Sequence, residues 1–412
     1  MIRTVFALVV LLPSLLLGGC AVSQPSIPLA KFTAGDLVAV RDFAVREATE
    51  GDEENLALVR NVQGQCELLL GDLEAARRAF DEAAQIMGNW STGSGESIAA
   101  IVGSESSKTY KGDPYEKAMN AFYRAYCYLR RGEVDNARAA CKRGILADAE
   151  VGEEKFQADN ALLFWFAGRM SRLMGQQSEA DGFFGEARAA NEFALAHSAV
   201  GDAAVPALQS PGQGNLVLLF ECGMGPEKYG DGAQDELARF KPRPHPAVRA
   251  RAAVDGQPVG TSSILLDVDY QARTLGGTVM EGIRQGKAVF RAASAIGGAV
   301  LIDQAARQGF RGDTARTQAI VGTSLLLLAA LTSTSADVRH WPTLPATVQV
   351  LTIEVPPGEH VVDVEFLDAS GRALPRLSQR VAATVPAGGE GWYLFRSVPS
   401  SSPAAPPAAT VP

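Results

Sequence analysis

Five cysteines and four histidines are the side chains of this 412-residue chain that could supply a nucleophile or a metal site, and their spacing favours neither. His197, His245, His340 and His360 each stand alone, with no HExxH pair, and no CxxC occurs among Cys20, Cys66, Cys127, Cys141 and Cys222. No GxSxG elbow is present. Residues 282–288 approach a phosphate-binding loop around Gly286 and Lys287, but the spacing is one residue short and no Ser or Thr follows the lysine to hold Mg²⁺. Asp267 and Asp269 fall on one face of an expected strand, which a solvated face explains more simply than acid–base work. The expectation is a protein that is not an enzyme, with no catalytic residues, no metal and no cofactor.

Cys20 differs from the others in what precedes it. Arg3 gives a short positive start, and residues 4–17 form an apolar run broken by Pro13 and Ser14. That run is shorter than the roughly 20 apolar residues needed to cross a bilayer, and it fits a secretory signal peptide over residues 1–19. Leu17-Gly18-Gly19-Cys20 resembles the lipobox of bacterial lipoproteins. The resemblance implies a thioether from Cys20 to diacylglycerol and acyl chains such as palmitate. Ala21, where an inner-membrane lipoprotein typically carries aspartate, implies the outer membrane, facing the periplasm. Two or three acyl chains anchor stably without a spanning helix. Residues 20–30, small, polar and proline-containing, are expected to be the lipidated cysteine and a flexible tether.

Composition narrows the partners. Apolar residues make up 47% and charged residues 20%, as in ordinary globular proteins. A net charge of −8 with no basic run argues against nucleic acid. A protein or peptidoglycan of the envelope is the expected partner. Cys66, Cys127, Cys141 and Cys222 could form a disulfide in an oxidising periplasm or remain buried free thiols.

The first half repeats itself. Residues 64–83, 125–144 and 168–187 align on Gly71, Gly132 and Gly175. They share a small residue before the glycine (Gly64, Ala125, Gly168), an alanine after it (Ala76, Ala137, Ala180) and then Phe80, Cys141 and Phe184. This resembles the tetratricopeptide repeat: small residues let antiparallel helices approach, and the larger one fills the groove. Tyr128 keeps the aromatic of the first helix, whereas Glu67 and Ser171 replace it, and the glycines are unevenly spaced against a period of about 34. Residues 31–197 are expected to form a tetratricopeptide-like helical solenoid. Residues 88–117, rich in Gly and Ser, read as a long loop with Trp90, Tyr110 and Tyr115, either a binding lip or a loop packed along the concave face.

Residues 198–214, small and rich in proline and glycine, read as a linker to a second domain over 215–398. Strands are expected at 215–221, 249–254, 262–269, 347–355, 360–366, 377–385 and 392–398, with a hairpin turn at Asp255-Gly256. Seven strands suit a β-sandwich-like domain. Helices at about 274–308 and 314–333 are inserted in it, and 399–412 reads as a disordered tail. The fold class is therefore α+β.

Two segments carry a further resemblance, to an uncharacterised family of bacterial outer-membrane lipoproteins with a tetratricopeptide-like first half. One is Tyr110-Lys111-Gly112-Asp113-Pro114-Tyr115-Glu116, in which Asp113-Pro114 is also a sound helix start. The other runs Asp337-Val338-Arg339-His340-Trp341-Pro342-Thr343-Leu344-Pro345. In it Asp337, Arg339 and Trp341 read as a structural motif, Arg339 pairing with Asp337 or capping strand carbonyls and Trp341 filling core. Tyr110, Lys111, Asp113, Tyr115 and Tyr128 are the candidate partner-binding residues. The expected function is a membrane-anchored periplasmic scaffold for protein–protein interaction, with a link to cell-wall synthesis implied by the resemblance. The rival is an envelope enzyme or glycan-binding protein with its site at the domain junction, around residues 337–341. Replacing Cys20 with serine is expected to release an intact folded protein to the soluble periplasm, which cell fractionation followed by immunoblotting will show.

Overall fold

A left-handed glycine closes each of three helical pairs. The computed structural model describes residues 23–88, 109–148, 159–231, 237–275 and 336–399. Helices α1 (Leu29–Thr33) and α2 (Leu37–Glu50) lead into α3 (Leu56–Leu70) with α4 (Leu73–Gly88), α5 (Pro114–Arg130) with α6 (Val134–Asp148), and α7 (Ala161–Leu173) with α8 (Gln177–Ala196). Gly71, Gly132 and Gly175, with φ of 91°, 79° and 73°, make the turns in a region an L side chain avoids. Within two of the pairs a second glycine permits contact. A Cβ on Gly64 would stand 2.8 Å from the Phe80 ring, and one on Gly168 would stand 2.4 Å from that of Phe184. At the equivalent place in the middle pair the facing side chain is the smaller Cys141, and alanine occupies position 125. Ion pairs join successive pairs near the turns: Arg131 with Glu74, and Arg138 and Lys142 with Glu179, the last two at 2.7 Å.

Strands fill the second half, so the chain is α+β. They are β1 (Leu216–Cys222), β2 (Glu227–Asp231), β3 (Leu237–Lys241), β4 (Arg249–Val254), β5 (Gln257–Thr261), β6 (Ser263–Asp267), β7 (Thr347–Ile353), β8 (Gly358–Leu367), β9 (Gln379–Val385) and β10 (Gly391–Arg396). Short helices α9 (Pro206–Gln209) and α10 (Val268–Leu275) precede β1 and follow β6. One sheet has the order β10-β1-β7-β6, with β1 and β10 parallel; a second is antiparallel in the order β5-β4-β8-β9; β2 and β3 form a separate hairpin. The Asp255-Gly256 turn joins β4 to β5, both residues having positive φ (50° and 77°), as a tight hairpin requires.

The strand expected over 262–269 is not one strand. The chain changes sheets at buried Ser262, whose hydroxyl donates to Gln349 Oε1 at 2.6 Å, and β6 then pairs with β7 rather than β4. Asp267 ends that strand, buried, while Asp269 lies in α10, so the two do not share a solvated strand face. The hairpin β2–β3 was not expected at all.

Both faces of β1 are covered. Val217 and Leu219 belong to the core shared with the helices, whereas Leu216, Leu218 and Phe220 belong to the core shared with the second sheet. The helical half and the first sheet thus have one continuous core, into which Trp341 and Trp392 project. The expected linker is part of this body. Val205, Ala207 and Leu208 are buried, Asp202 pairs with Arg249 and accepts from Ile264 N at 2.8 Å, and Val200 N donates to Asp267 at 2.8 Å. Small, proline-rich composition reads as a linker because the carboxylate–amide partners holding it lie far along the chain.

The inserted helices expected over 274–308 and 314–333 lie outside the described residues except at Thr274 and Leu275, and so do the signal peptide, Cys20, Trp90 and the tail beyond residue 399. Among the described residues, no helix is long and apolar enough to cross a membrane.

Gly168→Val should force the Phe184 ring from its packed position and cost about 1–3 kcal/mol. Gly182→Ala, at an exposed helical site with nothing within 4 Å of the added Cβ, should instead gain about 0.5–1 kcal/mol. Chemical denaturation of the two variants measures both.

Candidate functional site

Glu221 is the fifth residue after Leu216 in a strand that is otherwise apolar, and it shares the helix-facing side with Val217 and Leu219. Tyr123, from the middle of α5, donates to its Oε1 at 2.5 Å. Gln65 of α3 donates to the Tyr123 hydroxyl at 2.9 Å, Thr343 donates to Gln65 Oε1 at 2.6 Å, and Trp341 Nε1 donates to Thr343 Oγ1 at 2.9 Å. Each donor points toward the carboxylate. Arg396, opposite Glu221 on β10, reaches its Oε2 at 3.9 Å and donates to the carbonyls of Thr343 and Leu344 at 3.1 and 3.2 Å. Burial raises the Glu221 carboxyl above the usual range, with Arg396 and the Tyr123 hydroxyl pulling it back. All six side chains are buried. A substrate has no access to them, so the chain of donors serves to fix helices to sheet.

The two segments with the lipoprotein-family resemblance meet beside this relay. Glu116 closes a capping box at the start of α5, accepting from Asp113 N at 2.7 Å with one oxygen and from Trp341 N at 2.5 Å with the other. Arg339 forms a fork with Asp337 (2.7–3.1 Å), donates to Glu54 O and Asn55 Oδ1 at 3.3 and 3.2 Å, and lies over the Tyr110 ring. Trp341 packs at 5.5 Å from Tyr123 and 6.1 Å from Phe80.

The expected partner-binding residues are distributed accordingly. Tyr110 and Tyr115 are buried, and Tyr115 meets Phe240 of β3 edge-on at 5.7 Å. Lys111 donates to the Ile86 carbonyl at 2.8 Å, Asp113 pairs with buried Lys228 of β2 at 2.6 Å, and the Tyr128 hydroxyl donates to Asp81 at 3.1 Å. The segment is turned into the body rather than offered as a lip. Around Arg339 and Trp341, the other candidate location, the structure is filled core (2% and 1% exposed). Cys66, Cys127, Cys141 and Cys222 are buried free thiols, and burial pushes Cys66, Cys127 and Cys222 up to about 12.

Open surface lies at the other end of the helical pairs. A cleft of about 1300 Å³ runs between the end of α7, α9 and the loops that lead into β1 and β10 and out of β7. Its floor is set by an ion triad. Arg169, fully buried, donates to Glu390 and to the carbonyls of Pro211, Gln213 and Gly214, while the half-buried Arg172 reaches Glu390 Oε1 at 2.6 Å. Trp392 Nε1 holds the second Glu390 oxygen at 2.9 Å. The walls present Gln209, Ser210, Thr352, Glu354 and the Pro356-Pro357 and Gly388-Gly389 pairs. Asn215 also lines it, its amide bonded on both sides to the backbone of Val355 at 2.8 and 3.0 Å. The lining is hydrogen-bonding and small, with one arginine and two carboxylates.

Sequence reasoning missed this cleft, because its charged residues gain meaning only through partners far along the chain. The β2–β3 hairpin did carry a signal, an Asp231-Gly232 pair between two short alternating runs. Glu221 and Arg396 carried a weaker one, two apolar strands with charges of opposite sign at their last or next-to-last position.

No protein-family model matches the chain, and no curated protein matches it.

Burial, and next the neighbouring Asp113, push the Glu116 carboxyl up to about 7, against Lys228 and two backbone N–H donors. The folded chain therefore holds a proton that the unfolded chain releases near pH 4.5, and this group's contribution to stability falls as pH rises from about 4.5 to 7. Relative to the wild type, Glu116→Gln should be more favourable at pH 7.5 than at pH 5. Urea denaturation of both proteins at the two pH values gives the comparison.

Proposed function

We propose that this chain is a non-enzymatic lipoprotein, anchored through Cys20 to the outer membrane on its periplasmic side, that acts as a protein–protein interaction scaffold linked to cell-wall synthesis. On this reading it belongs to the lipoprotein family whose two motifs it carries. Its helical half is a tetratricopeptide-like solenoid and its strands form a β-sandwich-like domain. The left-handed glycines 71, 132 and 175 and the close approach of Gly64 and Gly168 to phenylalanine rings support the solenoid. The core shared by β1, β4, β8 and β9 supports the sandwich.

The observation that carries the scaffold reading is the junction cleft. Pro356, Pro357 and Gly388 stand exposed along one wall, the side chains of Gln209, Gln213 and Ser210 offer hydrogen bonds, and Arg172 and Glu354 provide charges of both signs. That combination suits an extended polypeptide, whose main-chain groups the amide and hydroxyl side chains of the cleft can bond. The partner site moves here from residues 110–116, whose aromatic side chains are committed to packing. A glycan is the second reading, favoured by the amide-rich lining.

A photocrosslinking residue in place of exposed Gln209 should capture a defined envelope protein in living cells. Glu354→Arg should cut that capture several-fold, whereas Arg251→Glu on the outer sheet should leave it unchanged. Capture insensitive to Glu354, or recovery of glycan alone, would sink the scaffold reading.

A further inference from the structure

Residues 20–30 were expected to behave as a flexible tether, but from residue 23 onward the chain is fastened to the body. The Ser23 carbonyl accepts from Asn55 Nδ2 at 3.0 Å, and the Gln24 side chain accepts from His340 N at 2.9 Å. Ile27 packs against the shared core, and tight backbone bonds from Ile27 to Pro25 and from Leu29 to Ile27 fix the intervening turns. The site of attachment is itself rigid. Glu54 O, the neighbour of Asn55, accepts from Tyr110 N at 2.7 Å and from Arg339. Only Ala21 and Val22 separate Cys20 from Ser23, a reach of at most about 11 Å.

We propose that the end of the molecule at which α3 begins is a membrane-facing surface, because the short Cys20 tether keeps Ser23 within about 11 Å of the lipidated cysteine. The inference rests on the lipidation reading and adds an orientation to it. Exposed Ser26, Asp52, Glu53 and Val338 belong to this end. Asp52 and Glu53 share this end with Lys111 and Arg243, so its charge gives anionic headgroups no net pull and the attraction comes from the acyl chains. α3 has 15 residues, and its other end therefore stands about 22 Å away. The turns at Gly71, Gly132 and Gly175 lie at that far end, joined by Arg131 to Glu74 and by Arg138 to Glu179. Arg172, at the end of α7 beside the third turn, lines the junction cleft. A short tether at one end thus presents the cleft on the side away from the bilayer.

The test uses the full-length lipidated protein in phosphatidylcholine vesicles containing nitroxide-labelled lipid. A fluorophore is placed on Val338→Cys or Ser26→Cys at the near end and on Ser178→Cys at the far end. The four native thiols are buried and do not compete for the label. Labels at 338 and 26 should be quenched several-fold more than the label at 178, and added anionic lipid should not increase the difference. Twenty Gly/Ser residues inserted between Val22 and Ser23 should abolish the difference while flotation with vesicles persists. Equal quenching in a protein that floats would overturn the orientation alone. Persistence of the difference with the spacer would remove the tether as its cause. Failure to float, with Cys20→Ser behaving like the wild type, would overturn the lipid anchor itself.

Discussion

A strand covered on both faces is the constraint from which the rest of this structure follows. β1 buries all seven of its residues, four against the second sheet and the three alternate ones against helices. A carboxylate in such a strand is costly unless hydrogen bonds and opposite charge compensate it. Glu221 receives both, from Tyr123 of a helix and Arg396 of the neighbouring strand. The helices therefore have a preferred register on the sheet, since apolar packing alone is not directional and a buried donor–acceptor chain is. Arg169 and Glu390 repeat the device at the other end of the contact, where the satisfied guanidinium collects the carbonyls of residues 211, 213 and 214. Between these two polar fastenings lie the aromatic contacts of Trp341 and Trp392, the latter 4.8 Å from Phe166.

This arrangement explains why the two family-like segments carry so many polar and aromatic residues without exposing them. They sit more than 200 positions apart and meet through Glu116, whose two oxygens serve one backbone N–H from each segment. A residue type that would suggest acid–base chemistry in a cleft is here a structural acceptor. The same holds for Arg339, divided among Asp337, Glu54 and Asn55.

What could be read from the sequence was what depends on near neighbours. The glycine turns, the capping at Asp113-Pro114, the Asp255-Gly256 hairpin and the change of period after residue 214 are local, and each stands close to its expected position. Relations between distant segments were hidden. Nothing in residues 198–214 announces that Asp202 will find Arg249, or that Val200 will find Asp267. Exposed and buried tyrosines look alike in a sequence, so Tyr110 and Tyr115 read as binding residues until the β2–β3 hairpin and Arg339 are seen to cover them. The cleft was invisible for the same reason: four distant segments of the chain form it.

The parallel pairing of β1 with β10 bears on the order of events during folding. Leu216 lies beside Gly391, so the strand on which the helices rest gains its edge partner only when a segment about 175 residues later arrives. Closing so long a loop is slow compared with forming helical pairs. The helical half can therefore assemble early, but its sheet-facing side stays exposed and adhesive until the distant strand docks. A protein of this topology has a built-in waiting period after its first half folds, during which chaperones or premature self-association compete for that surface.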